Sequence, residues 1–225
     1  TVPKMLKRLQ FADIPADCSE PVDPKALEQA KVIVSAIRND GEKGMLQYAT
    51  KFGDVKEGEQ WWADKEELKA AYDTLDAGKR DVLTRVGERI RAFAKAQRAS
   101  ICDTETDIPG GKAGQLVTPV DCAGCYAPGG RYPLPSSVLM TAVTAREAGV
   151  KSVWVASPHP DQVTKAAAHV ADADGLIKIG GAQAVATLAE GVGPVPAANI
   201  IVGPGNQWVT AAKSIVQGRC AIDML

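Results

Sequence analysis

The chain has 225 residues, 45% hydrophobic and 24% charged, with 26 Lys plus Arg against 27 Asp plus Glu and a formal net charge of −1. A balance this close to neutral excludes a general nucleic-acid or anionic-membrane surface, which needs a large positive excess. The two histidines, His159 and His169, are too few for an imidazole-rich metal site, and no apolar run approaches the ~20 residues of a membrane span.

Taken in chain order, the first part is charged and helical in pattern. Asp23-Pro24 is a helix-start pair, a cap before a residue whose fixed φ suits the first turn. Ala26, Leu27, Ala30, Val34 and Ile37 then recur at helical spacing. Asp40-Gly41 breaks that helix, and Met45, Leu46, Ala49 and Phe52 predict a short second one. Asp64 with Glu66 and Glu67 starts another, its acids set against the helix dipole. Helical pattern continues to Gln97, with a break at Asp76-Ala77-Gly78. Trp61 and Trp62 read as packing anchors.

Character changes near Pro109-Gly110-Gly111, which marks an expected boundary. Apolar runs at 115–120, 152–156, 176–179 and 199–202 predict short strands. They alternate with Ala-rich helical patterns at 136–148, 161–171, 182–190 and 206–217, the rhythm of βαβ units and a parallel sheet. The fold class is therefore α/β.

Three glycine-rich turns follow the apolar runs: Pro128-Gly129-Gly130, Gly180-Gly181 and Gly203-Pro204-Gly205-Asn206. In a parallel sheet such turns gather at the carboxyl edge, where ligands bind. Glycine lets backbone approach a ligand closely, and the next helix offers unpaired N–H groups. Neither the G-x-G-x-x-G fingerprint nor a phosphate loop is present, so a dinucleotide would bind in a non-standard way. Tyr126, Gln183 and Asn206 stand beside the three turns as uncharged hydrogen-bonding groups, although an Asn or Gln opening a helix is commonly a cap. Arg131 follows Gly129-Gly130, suited to an anionic substrate group or to a surface ion pair.

The five cysteines, Cys18, Cys102, Cys122, Cys125 and Cys220, are odd in number and scattered, which points to a reducing compartment rather than a disulfide framework. Cys122-Ala-Gly-Cys125 has redox or zinc spacing but lacks a second pair. The start TVPKMLKRLQ carries no signal-peptide core, and Thr1 implies that the natural start was removed or lies upstream. The expected compartment is the cytoplasm, or a plastid in a eukaryote, and not the secretory route.

The segments CYAPGGRYPLPSSVLMTAVTAREAGV (125–150), KIGGAQAVATLAEGVGPVP (178–196) and IVGPGNQWVTAAKSIVQGRCAIDM (201–224) resemble histidinol dehydrogenases, with looser agreement at 40–55 and 86–97. The resemblance implies an NAD- and zinc-dependent oxidation of L-histidinol to L-histidine in two steps, in histidine biosynthesis, by an intertwined homodimer with incomplete Rossmann-like domains. It carries NAD contacts to Tyr126, Gln183 and Asn206, with Gly129, Gly130, Gly181 and Gly205 as supporting turns. It divides the chain into 1–124, half of a discontinuous mostly helical domain, and 125–225, an NAD-binding Rossmann-like domain.

The family's zinc ligands, substrate serine and Glu-His acid/base pair are expected beyond Leu225, so no metal ligand or catalytic residue is assigned here and the piece alone is not expected to catalyse. Gly129-Gly130-Arg131-Tyr132 is closer to sulfopropanediol dehydrogenases, where Arg131 would meet an anionic alcohol. A truncated, non-catalytic homologue is the third alternative.

Overall fold

The computed structural model describes residues 10–13, 21–129 and 132–225. Its helices begin where capping chemistry places them. The Ala26 amide donates to Asp23 at 2.7 Å, and α1 (Pro24–Asp40) ends at Gly41 with φ 56°. α2 (Glu42–Lys51) follows at once. Asp64 and Asp76 cap α3 (Lys65–Asp73) and α4 (Ala77–Ala99), each accepting from the amide three residues on. The expected helices and their breaks are therefore present. Ile33, Val34 and Ile37 are buried along α1, and each such side chain contributes about 2 kcal/mol.

The sheet has six strands. β1 (Trp62–Ala63) comes from the helical part, and a separate hairpin pairs β2 (Thr104–Ile108) with β3 (Gly111–Gln115). β4 (Cys122–Tyr126), β5 (Ser152–Ala156), β6 (Gly175–Ile177), β7 (Ile200–Val202) and β8 (Ala221–Ile222) are parallel. The spatial order is β1-β6-β5-β4-β7-β8, with β1 antiparallel at the edge and Trp62 opposite Ile177. The chain steps outward from β4 through β5 to β6, then returns to the other side of β4 with β7. That reversal is the topological switch point of a doubly wound sheet, beside which ligands bind.

Helices cover both faces. α5 (Pro135–Glu147) and α6 (Gln162–Val170) pack with α3 and α4 on one, burying Leu139, Ala167 and Leu68 against Val153 and Val155. α7 (Gly181–Glu190) and α8 (Gln207–Val216) pack with α1 and α2 on the other, burying Leu188 and Val209 against Ile177 and Ile201. Trp61 is buried, its indole N–H donating to Glu42 at 2.8 Å, and Trp62 meets Trp154 edge-on at 6.2 Å. Both are packing anchors.

Two expectations change. Residues 116–120 carry no strand; the apolar run is exposed connection between the hairpin and β4. Pro109-Gly110-Gly111, the expected boundary, contains the turn of this hairpin, with Gly110 at φ 87°. The central strand instead consists of Cys122, Ala123, Gly124, Cys125 and Tyr126, the first four small residues that give little strand signal. They are needed there because helices press on both faces: a Cβ on Gly124 would lie 2.9 Å from Leu188. The 124/125 dividing line falls inside β4.

Candidate functional site at the carboxyl edge of the sheet

Tyr126 ends β4, and α7 begins a few residues beyond β6 at Gly181, with φ 60°. The Gly181 amide donates to the Tyr126 hydroxyl at 3.1 Å, joining the switch-point strand to the α7 N-terminus. Burial pushes the Tyr126 phenol up; the Gly181 amide only partly counteracts this, so the ring stays a neutral hydroxyl at ordinary pH. Gln183 is 4% exposed, and its Nε2 donates to Asp54 Oδ2 at 2.7 Å. The Gly180 amide donates to the same oxygen at 3.2 Å.

Asp54 reaches this position through the end of α2. The Gly53 amide donates to Thr50 O at 3.0 Å and the Asp54 amide to Ala49 O at 2.8 Å, a Schellman ending with Gly53 at φ 78°. The chain then turns the carboxylate onto α7. Tyr126, Gly181 and Gln183, three of the residues singled out in the sequence, thus meet in one cluster, and Asp54 completes it.

The third turn is built differently. A Cβ on Gly203 would stand 2.0 Å from the Tyr126 carbonyl oxygen, and its φ is 117°. Only glycine fits between β4 and β7 there. Lys213 Nζ donates to the Gly203 carbonyl at 2.6 Å, and Asp223 Oδ2 accepts from the Gly203 amide at 2.7 Å. Gly205 is crowded by Val209, which a Cβ would approach to 2.2 Å. Asn206 is exposed and caps α8, accepting from the Trp208 and Val209 amides at 3.1 and 3.2 Å. The structure does not bring Asn206 into hydrogen-bond contact with Tyr126 or Gln183.

In the first turn, Gly129 is needed for packing: a Cβ would lie 2.5 Å from the Pro158 carbonyl oxygen. Gly130 and Arg131 lie outside the described residues, as does Cys18.

A cavity of about 490 Å³ opens beside Gly181 and Gln183. Its walls include Ile33, Tyr48, Phe52 and Trp208, with Lys51 at the margin. Tyr48 and Phe52 stack with ring centroids 6.1 Å apart, and Lys51 Nζ lies 5.8 Å from each. The Trp208 indole donates to Gln29 Oε1 at 2.7 Å. Sequence reading missed Asp54, Lys213, Asp223 and these aromatic walls. Asp54 and Trp208 draw their partners from distant segments, and the one available signal was the position of Asp54 just after a glycine helix stop.

Cys122 and Cys125 project to opposite faces of β4, into separate core clusters. Burial pushes the Cys122 thiol up and Cys125 to about 12, so neither is a ready thiolate. His169 packs on Tyr72 with centroids 5.2 Å apart, while His159 holds φ 46° in the turn after β5. Among the described residues, no three His, Cys, Asp or Glu side chains gather as a metal site requires, and no helix is long and apolar enough to cross a membrane.

Fold and edge together define an α/β protein with a doubly wound, mostly parallel sheet and a cavity beside the α7 N-terminus. Residues 19–225 match the family model described as Histidinol dehydrogenase. The histidinol dehydrogenase of Methanococcus maripaludis is 43% identical over 195 residues, covering 85% of this chain and 46% of that protein. The sulfopropanediol 3-dehydrogenase of Ruegeria pomeroyi is 40% identical over 204 residues, covering 88% and 46%. A crystal structure of histidinol dehydrogenase from Elizabethkingia anophelis superposes with a TM-score of 0.79 at 27% identity, covering 88% of this chain and 46% of that one. The chain belongs to the histidinol dehydrogenase family, and it spans about half the length of the curated relatives it matches.

Proposed function

We propose that this chain is the cofactor-binding part of an NAD-dependent dehydrogenase that oxidises L-histidinol to L-histidine in two steps. Residues 125–225, with the start of β4, form the cofactor domain; residues 1–124 contribute half of a second one, in a homodimer. The observation that carries this reading is the convergence of Tyr126, Gly181 and Gln183 beside the 490 Å³ cavity, at the carboxyl edge of a family member's sheet. Gln183 Oε1 fits a donor group of the cofactor, because among the described residues nothing donates to it while its Nε2 is held by Asp54.

NAD, when bound, supplies the hydride acceptor. The chain's own residues bind and orient it. Tyr126, tied to the Gly181 amide, is a fixed neutral hydroxyl; Gln183 offers its carbonyl oxygen; Asn206 presents an amide at the α8 N-terminus; and the apolar cavity walls exclude water. For zinc, the described residues offer no fitting ligand set, so none is assigned and no step is derived through it.

NAD titrated against the chain is expected to change Trp208 fluorescence saturably, and Gln183→Leu to weaken binding at least about tenfold, some 1.4 kcal/mol. A chain that gives neither a fluorescence change nor binding heat with NAD overturns the cofactor reading. Supported by the Ruegeria pomeroyi relative and by Gly129-Gly130-Arg131-Tyr132, the second reading is oxidation of a sulfonated diol. A longer polypeptide containing this chain that turns over the sulfonated diol and not histidinol decides for it.

A further inference from the structure

A lysine is seldom fully buried unless a specific partner holds it. Lys213, on α8, is 2% exposed, and its Nζ bridges the Gly203 carbonyl at 2.6 Å and Asp223 Oδ1 at 2.5 Å. Asp223 Oδ2 accepts from the Gly203 amide at 2.7 Å. Both backbone polar groups of one glycine are thus fixed by a charge pair drawn from α8 and the segment after β8. Such a pair adds little net stability over apolar packing of equal volume; what it adds here is one fixed arrangement.

Gly203 stands between two residues of the candidate site. It directly follows β7, and a Cβ there would lie 2.0 Å from the Tyr126 carbonyl oxygen and 3.2 Å from the Tyr126 nitrogen, so its Cα rests on the Tyr126 backbone. The Tyr126 hydroxyl meets the Gly181 amide in turn. In the other direction Pro204 and Gly205 lead to Asn206 at the start of α8, with Gly205 pressed against Val209. Close packing on both sides leaves the turn no slack, so a shift at Gly203 is passed to Tyr126 and to Asn206. We propose that Lys213 is a positioning residue for the cofactor: buried and touching no ligand, it sets the spacing of Tyr126 and Asn206 through the Gly203 backbone. The inference rests on the cofactor reading above.

The test measures NAD affinity by binding heat, well below the thermal midpoint, for four proteins. They are the unaltered chain, Lys213→Met, Lys213→Met combined with Asp223→Asn, and Leu83→Ala, a core deletion in α4 on the opposite face of the sheet. A variant that stays folded at the temperature of measurement shows its own affinity, since a small unfolded fraction scarcely changes the apparent one. Lys213→Met is expected to bind NAD at least about tenfold more weakly. The double variant leaves no charge unpaired, so it is expected to regain stability but not affinity, because the Gly203 carbonyl still lacks its donor. Leu83→Ala is expected to lose stability and keep its affinity.

If Lys213→Met loses its thermal transition, the double variant carries the comparison. A purely structural role makes affinity follow stability through the series, or leaves it unaltered in every folded variant. Affinity within about twofold of the unaltered chain's, affinity that returns with stability in the double variant, or an equal loss in Leu83→Ala overturns the proposal and leaves the cofactor site standing. No NAD binding by the unaltered chain removes the cofactor reading and the proposal together.

Discussion

Lys213 Nζ lies 2.5 Å from Asp223 Oδ1, with Lys213 only 2% exposed, and the pair grips the Gly203 backbone from both sides. One carbonyl and one amide of the third glycine turn are thereby fixed by a charge pair drawn from α8 and the segment after β8. Lys213→Met is expected to destabilise the chain by about 2 kcal/mol, because the partly buried Asp223 carboxylate and the Gly203 carbonyl both lose their partner. Part of the loss should return in Lys213→Met with Asp223→Asn. A urea unfolding free energy for Lys213→Met within about 1 kcal/mol of the unaltered protein's would show that the pair does not hold the turn.

Acid sensitivity follows from the same carboxylate. Burial pushes Asp223 up, but hydrogen bonds from Lys213 and Gly203 and the Lys213 charge outweigh it, and the group ends below its ordinary value. Glu67, held by Lys165 and Lys178 against its own burial, and Asp174 are also lowered. Depressed folded values mean that the stabilisation is complete above the unfolded carboxyl range near 4 and disappears as pH falls through the lower folded values. Urea midpoints should therefore stay level down to about pH 5 and drop below it, with a shallower drop in Asp223→Asn. An acid limb of unchanged steepness in that variant would remove Asp223 as a contributor.

The backbone approach at Gly203 gives a sharper contrast. Gly203→Ala puts a methyl 2.0 Å from the Tyr126 carbonyl oxygen at a φ of 117°, so β4 and β7 must part. A loss of at least about 3 kcal/mol is expected, in the upper range for single substitutions. Gly218→Ala meets nothing within 4 Å and should change thermal stability little. Equal midpoints for the two variants would contradict the close packing of the switch-point strands.

Thiol reactivity should separate by position. Cys102 is exposed, whereas Cys122, Cys125 and Cys220 are buried, and Cys125 is pushed up to about 12. Brief iodoacetamide treatment at pH 8, read by peptide mass spectrometry, should modify Cys102 in the folded chain and the three buried thiols only after unfolding. Early labelling of Cys125 would mean that β4 is not the covered centre of the sheet.

Much of this arrangement was legible locally. Asp23 and Asp64 announce their helices because a cap acts on an amide three residues away, and Asp76 marks the break at which the next helix starts. The glycine turns announce the carboxyl edge because a βα corner requires them. β4 was not legible, since a strand squeezed between helices is built of small residues and loses the branched side chains that mark a strand. Tyr126 and Gln183 were legible as positions, while the bond through Gly181 that unites them was not. Asp54 reaches Gln183 across 129 residues, a distance no local pattern spans.

The sequence by itself determined the helix starts, the α/β alternation and the glycine corners, because each follows from interactions among residues a few positions apart. Tertiary structure alone decided which corner groups meet, that Lys213 and Asp223 clamp the Gly203 turn, and that Asp54 stands at the α7 N-terminus. Those outcomes depend on strand order and on helices packing from opposite ends of the chain, where burial and charge pairing, rather than local propensity, choose the partner.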